Sequence, residues 1–290
     1  DTLRYTALGP TPAPRATMVR GVSLCDIALW DAMAVSAGQP LHAMLGTRRD
    51  RVELMPVIGY GMTPEVAARE GAALAERGFR TIKVMIDGGD LAFDTAVVGA
   101  LAAALPEGTR FGMDAHWSWT DADDALPWCR LAEAHGALFL EDPVAPTAWR
   151  VAAALKSRTT VPLCLGEDAT DLHALRDMAE GADILRLDAA ASGGLGYALD
   201  GLALARAQGK TVIPHVFATL HQHLGYADET VTRIEAILPE LGADPIDDVL
   251  RHPLTIDGGD ILAPSAPGAG TALNWEAIAP FVTRKETLIP

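Results

Sequence analysis

Residues 137–168, ALFLEDPVAPTAWRVAAALKSRTTVPLCLGED, decide the fold. They open on a short apolar run that closes on an acid, Glu141, and they end on a second run that closes on another, Glu167. Between the two, the stretch from Thr147 to Ser157 has the composition of a helix. A strand, a helix and a strand within about 30 residues make one βα unit and the start of the next. Both runs are continuously apolar, as strands of a parallel sheet buried on both faces are.

The same unit repeats outward in both directions. Strand-like runs are VELMPVI (52–58), TIKVMI (81–86), RFGMD (110–114), ALFLE (137–141), VPLCLG (161–166), DILRLD (183–188), TVIPH (211–215) and TRIEAI (232–237). Helical stretches separate them, near 63–77, 91–105, 121–135, 147–157, 172–178, 194–208 and 217–226. Thr63-Pro64-Glu65 is a helix start, with a hydroxyl cap, a proline in the first turn and an acid near the positive end. Eight strands alternating with seven helices predict an α/β fold, a closed (β/α)7β TIM-like barrel. Residues 23–45 predict a helix broken near Gly38 and Pro40, then a short one stopped by Gly46. The Gly- and Pro-rich tail from Thr255 is expected to leave the barrel and pack on those first helices.

An ionisable residue closes nearly every run: Lys83, Asp114, Glu141, Glu167, Asp188, His215 and Glu235. They lie about 20 to 30 residues apart, and in a parallel barrel that spacing brings them to one mouth. A doubly wound open sheet would instead gather ligand groups at a switch point. Asp114, Glu141 and Glu167 would end three adjacent strands, where they repel one another unless a cation lies between them. Three hard oxygen donors with open positions suit Mg²⁺. Asp188 beside His215 would fix the imidazole tautomer and raise its basicity, enough to take a proton from carbon. Lys83 is either a snorkelling surface lysine or a holder of a substrate carboxylate. Glu235 is either a neutral acid that donates to that carboxylate or a charge on the rim. His221 and His223 fall on the helix after the seventh strand and are read as packing or support.

Composition bounds the partners. The chain has 290 residues and a net charge of −15, which argues against nucleic acid and anionic membrane surfaces. A small anionic substrate stays compatible, because a metal and one or two cations invert the local potential. Cys25, Cys129 and Cys164 lack metal-ligand spacing and are expected to be buried thiols in a reducing cytoplasm. No signal peptide or membrane span is visible. The chain begins at Asp1 without Met, so the natural start is expected upstream.

DIALWDAMAVSAGQPLHAMLG (26–46), the LEDP and GED strand ends, LDAAASGGL (187–195), IPHVFATLHQHL (213–224) and GGDILAPSAPGAG (258–270) together resemble the enolase superfamily, in its mandelate racemase branch. The likeness covers about residues 23 to 275. It implies residues 1–48 as the helical end of an α+β lid domain, 49–254 as the catalytic barrel and 255–290 as a segment returning to the lid. Only the helical end of such a lid is expected within this sequence. The likeness implies Mg²⁺ on Asp114, Glu141 and Glu167, an Asp188–His215 general base, Glu235 as a hydrogen-bonding acid, and a homo-oligomer.

Two departures narrow the chemistry. The branch often has Lys-x-Lys at the second strand, and this chain has Lys83-Val84-Met85; Met85 cannot move a proton. His116, two residues after Asp114, resembles the general acid of galactonate and mannonate dehydratases; otherwise it packs on Trp117 and Trp119. These point to a sugar-acid dehydratase, with an epimerase or racemase, or a catalytically silent acid-binding homologue, as alternatives.

Overall fold

The computed structural model describes residues 15–59, 61–241, 246–284 and 286. The first fourteen residues of the expected lid remnant thus lie outside the described residues. Helices α1 (Arg15–Ser36) and α2 (Leu41–Leu45) come first. The barrel follows as β1 (Arg51–Ile58), α3 (Pro64–Glu76), β2 (Thr81–Met85), α4 (Leu91–Ala104), β3 (Arg110–Asp114) and α5 (Ala122–Ala134). It continues through β4 (Leu140–Glu141), α6 (Trp149–Lys156), β5 (Leu163–Leu165), α7 (Leu172–Gly181), β6 (Ile184–Leu187) and α8 (Gly194–Ala207). It ends on β7 (Thr211–Pro214), α9 (Ala218–Ala227) and β8 (Arg233–Ala236). Two short strands, β9 (Ile256–Asp257) and β10 (Asp260–Leu262), and a last helix, α10 (Trp275–Ile278), complete the chain.

The helix starts are written locally. Asp90, Asp121 and Asp171 each accept a hydrogen bond from a backbone N–H of the turn they open. Such caps satisfy donors that the helix itself leaves unpaired. Gly46 closes α2 at φ 94°, a left-handed conformation that costs glycine nothing.

Strands β1 to β7 pair in sequence order and in parallel, and β8 returns to pair with β1. The ring closes between β7 and the residues that lead into β8. Val212 N–H donates to Thr230 O at 2.9 Å, and Thr232 N–H donates to Val212 O at 3.0 Å. The sequence-predicted barrel is therefore the observed one.

Most of the core lies between strands and helices, but Met55, Phe139, Cys164 and Ile213 form a separate cluster inside the ring. Phe139 fills this space only because β3 carries no side chain at Gly112. A Cβ at that position would lie 2.2 Å from the Phe139 ring.

Three expectations are corrected. The tail does not leave the barrel at Thr255, because β10 pairs antiparallel with Arg51–Glu53 of β1. The cause is length: β2 pairs only with Val57 and Ile58, so the first half of β1 has an edge that β10 covers. The tail then reaches the first helices, where Leu41 N–H donates to Gly268 O and Ala269 N–H to Asp31 Oδ1. The first helix starts at Arg15, before the predicted 23. Cys25 is exposed on α1, whereas Cys129 and Cys164 are buried. Among the described residues no helix is long and apolar enough to cross a membrane.

Overpacking the ring interior supplies a direct test. Gly112→Ala is expected to destabilise the chain by about 1–3 kcal/mol in urea unfolding. Adding Phe139→Leu should recover part of the loss, and an unchanged midpoint for Gly112→Ala would refute the account of Phe139.

Candidate active site

The strand ends bring the predicted residues together at one mouth. Lys83 is buried, with Nζ 2.8 Å from Asp114 Oδ2, 2.9 Å from Glu141 Oε1 and 2.6 Å from Glu235 Oε2. It is therefore not a surface lysine. Burial pulls its pKa down, but three carboxylates outweigh that and hold it well above its ordinary value. Glu235 is fully buried, paired with Lys83 and with Arg186, and accepts from Val216 N–H at 3.1 Å. Burial pushes its carboxyl up, and the two cations more than reverse this, so it stays ionised. The reading of Glu235 as a charge on the rim is corrected by its burial.

Sequence reasoning missed Arg186. Its Nε lies 3.2 Å from Glu141 Oε1 and 3.3 Å from Glu167 Oε2, and a terminal nitrogen lies 2.7 Å from Glu235 Oε1. The signal was available: an arginine inside DILRLD, a run otherwise apolar enough to be buried on both faces. Asp142 was missed too. It is buried, and its Oδ2 accepts from Trp117 Nε1 at 2.9 Å.

Five buried carboxylates, Asp114, Glu141, Asp142, Glu167 and Glu235, surround two buried cations, Lys83 and Arg186. The imbalance falls on Glu141 and Asp142. Burial, with neighbouring acids, pushes both carboxyls well above the usual range despite the cations. Glu141 Oε2 and Asp142 Oδ1 are buried with no hydrogen-bond partner among the described residues. Also among them, no group of three His, Cys, Asp or Glu side chains is arranged as a metal site. Asp114 and Glu141 meet at Lys83, and Glu141 and Glu167 meet at Arg186, so the three expected acids are joined through the two cations. The donor set nonetheless fits a hard divalent cation. Asp114 and Glu141 are register partners on adjacent strands, β5 lies next, one buried oxygen is orphaned, and negative charge is in excess.

On the other side of the mouth, His215 Nδ1 is 3.0 Å from Asp188 Oδ2. Asp188 Oδ1 accepts from Ala190 and Ala191 N–H, which fixes that carboxylate. His215 Nε2 is left at 3.6 Å from Glu167 Oε1. Burial lowers the imidazole pKa, but Asp188, Glu167 and Glu235 raise it more, and the net shift is upward. His221 is a brace: its Nδ1 donates to Val216 O at 2.7 Å and its Nε2 accepts from Ala189 N–H at 3.0 Å. That neutral ring ties the loops after β6 and β7, and burial lowers its pKa.

A cavity of about 240 Å³ connects the groups, lined by Lys83, Met85, Asp114, His116, Glu167, His215 and Glu235 together with Val57, Val216 and Ile237. His116 is exposed, and its ring stacks on Trp117 at 4.5 Å between centroids. The loops are held in unusual conformations, with positive φ at His116, Trp117, Asp142, Val216 and Phe217.

The family described as Enolase C-terminal domain-like matches residues 65–277. Muconate cycloisomerase 1 of Rhodococcus opacus is 28% identical over 268 residues, which are 87% of this chain and 69% of that protein. L-talarate/galactarate dehydratase of Salmonella typhimurium is 29% identical over 77% of this chain, which spans only 58% of that relative. A solved L-talarate dehydratase from Polaromonas sp. JS666, complexed with Mg and L-glucarate, aligns at TM-score 0.81 with 28% identity, over 90% of this chain and 72% of its own.

Trp117→Phe removes the side-chain donor to a buried carboxylate. It is expected to cost about 1–3 kcal/mol of stability, measured by urea unfolding. An unaltered midpoint would show that the Trp117–Asp142 contact carries no weight.

Proposed function

Because this chain belongs to the enolase C-terminal domain-like family, we propose that it dehydrates a sugar acid, an aldonate or aldarate. The proton α to the carboxylate is removed, the 3-hydroxyl leaves as water, and a 2-keto-3-deoxy acid results. The observation that carries this reading is the Asp188–His215 pair opening on a cavity that also presents His116 and Lys83.

Asp114, Glu141 and Glu167 would hold Mg²⁺. When bound, that ion supplies positive charge where the substrate carboxylate becomes more negative. Lys83 lines the cavity, so its ammonium can trade an acid partner for the substrate carboxylate. Asp188 accepts a hydrogen bond from Nδ1–H of His215 and so leaves the Nε2 lone pair to take the α proton. His116 gives a proton to the oxygen on C3 as that carbon–oxygen bond breaks. The enol that remains tautomerises to the ketone. Val57, Val216 and Ile237 restrict water around the reacting carbon.

The epimerase reading needs a second base on the opposite face of the α carbon. Met85 lines the cavity where the branch often has its second lysine, and a thioether takes no proton. A homo-oligomer is the assembly this family likeness favours.

Aldonates and aldarates screened with Mg²⁺ should yield 2-keto-3-deoxy products. His215→Asn should lower the rate by roughly 10²- to 10⁴-fold. His116→Asn should stop ketone formation yet keep exchange of the α proton with solvent deuterium, read by NMR. Undiminished turnover in His215→Asn would remove the proposed base, and exchange without ketone in the unmodified chain would favour epimerisation.

A further inference from the structure

Arg186 is fully buried inside the barrel, on β6 in register with Ile213 of β7. One terminal nitrogen donates to the Ile213 and Pro214 carbonyls at 3.3 Å each, and the other reaches Glu235 Oε1 at 2.7 Å. Its Nε is shared between Glu141 Oε1 and Glu167 Oε2. Being fully buried, it does not line the cavity and cannot meet substrate. As an arginine, it neither gives nor takes a proton. The proposed chemistry therefore leaves it no direct part, although burying an unpaired guanidinium would be costly.

Its surroundings supply a part. Glu141 and Glu167, two of the acids proposed to hold the divalent ion, and Glu235 beside them would repel one another in the ion's absence. The planar guanidinium meets all three and is anchored to backbone carbonyls that cannot move away. We propose that Arg186 is a built-in counter-ion and positioning residue. It holds Glu141, Glu167 and Glu235 in place while the barrel is metal-free, and its fixed charge weakens divalent-ion binding by those acids. The chain thereby folds without the ion and takes it up reversibly. The inference rests on the reading that Asp114, Glu141 and Glu167 hold Mg²⁺.

The test compares the full chain with Arg186→Met, Arg186→Gln and Arg186→Lys. Mg²⁺ binding is measured by calorimetry, and thermal unfolding is measured in EDTA and in Mg²⁺. Removing a fixed charge beside the ion should tighten Mg²⁺ binding at least about tenfold in the Met and Gln variants. Added Mg²⁺ should raise their unfolding midpoints more than that of the unmodified chain. Arg186→Lys keeps the charge and should keep the unmodified affinity. Met and Gln variants that bind Mg²⁺ no more tightly than the unmodified chain would overturn the counter-ion role. So would variants that fail to fold even with Mg²⁺, or a Lys variant that behaves like the Met one. An unmodified chain that takes up no Mg²⁺ would overturn the ion reading as well, which separates that failure from the others.

Discussion

Charge balance inside the ring is the constraint on which the site depends. A parallel barrel brings its strand ends to a mouth only a few side chains across. Here five acids and two cations are taken out of water together. None of these charges is tolerable alone, because desolvation of an unpaired ion outweighs what packing returns. Lys83 and Arg186 each touch three carboxylates, so Asp114, Glu141, Glu167 and Glu235 each meet a cation supplied by a different strand. Glu141 and Glu235 are each shared by both cations, so the two clusters form one network.

Much of this was legible in the chain. Continuous apolar runs gave the strands, aspartates and a threonine gave the helix starts, and the regular spacing of ionisable residues gave a shared mouth. What stayed hidden depends on distances across the ring. Lys83 reads alone as a flexible surface lysine, and only the neighbouring acids of β3, β4 and β8 explain its burial. Arg186 sits in an apolar run and looks like an interruption until the side chains it meets are known. Antiparallel pairing of β10 with β1 was equally silent, because a free edge is a property of unequal strand lengths in space. Cys25 was misjudged because a thiol on a helix carries no mark of which face it occupies.

Support for the reactive groups comes from the backbone as much as from side chains. Val216 is held at φ 33° and Phe217 at 43°, values a branched or bulky residue adopts only when its surroundings enforce them. The enforcing contacts are the His221 ring on Val216 O and the Glu235 carboxylate on Val216 N–H. Both partners are fully buried. The loop that carries His215 is therefore pinned from two sides, and the imidazole inherits that fixity. A base aimed at one carbon gains from such restraint, because orientation is settled before substrate arrives.

Division of labour across the mouth follows from one shared acid. Glu167 directs Oε2 toward Arg186 and Oε1 toward His215 Nε2. An isolated carboxylate at that distance would favour a proton on Nε2 and hold the imidazole as a cation, unable to act as a base. Arg186 opposes this by competing for Glu167 and by placing positive charge on the same side of the ring, while the net shift of the imidazole stays upward. Asp188 acts in the other direction, since it binds the far nitrogen, Nδ1, and leaves Nε2 to face the cavity side. A divalent ion on Glu167 would reinforce the effect of Arg186. The geometry thus separates a half crowded with carboxylates and cations from an imidazole held by Asp188 at Nδ1 and facing Glu167 at Nε2. On the proposed reading, that separation serves proton abstraction next to a carboxylate.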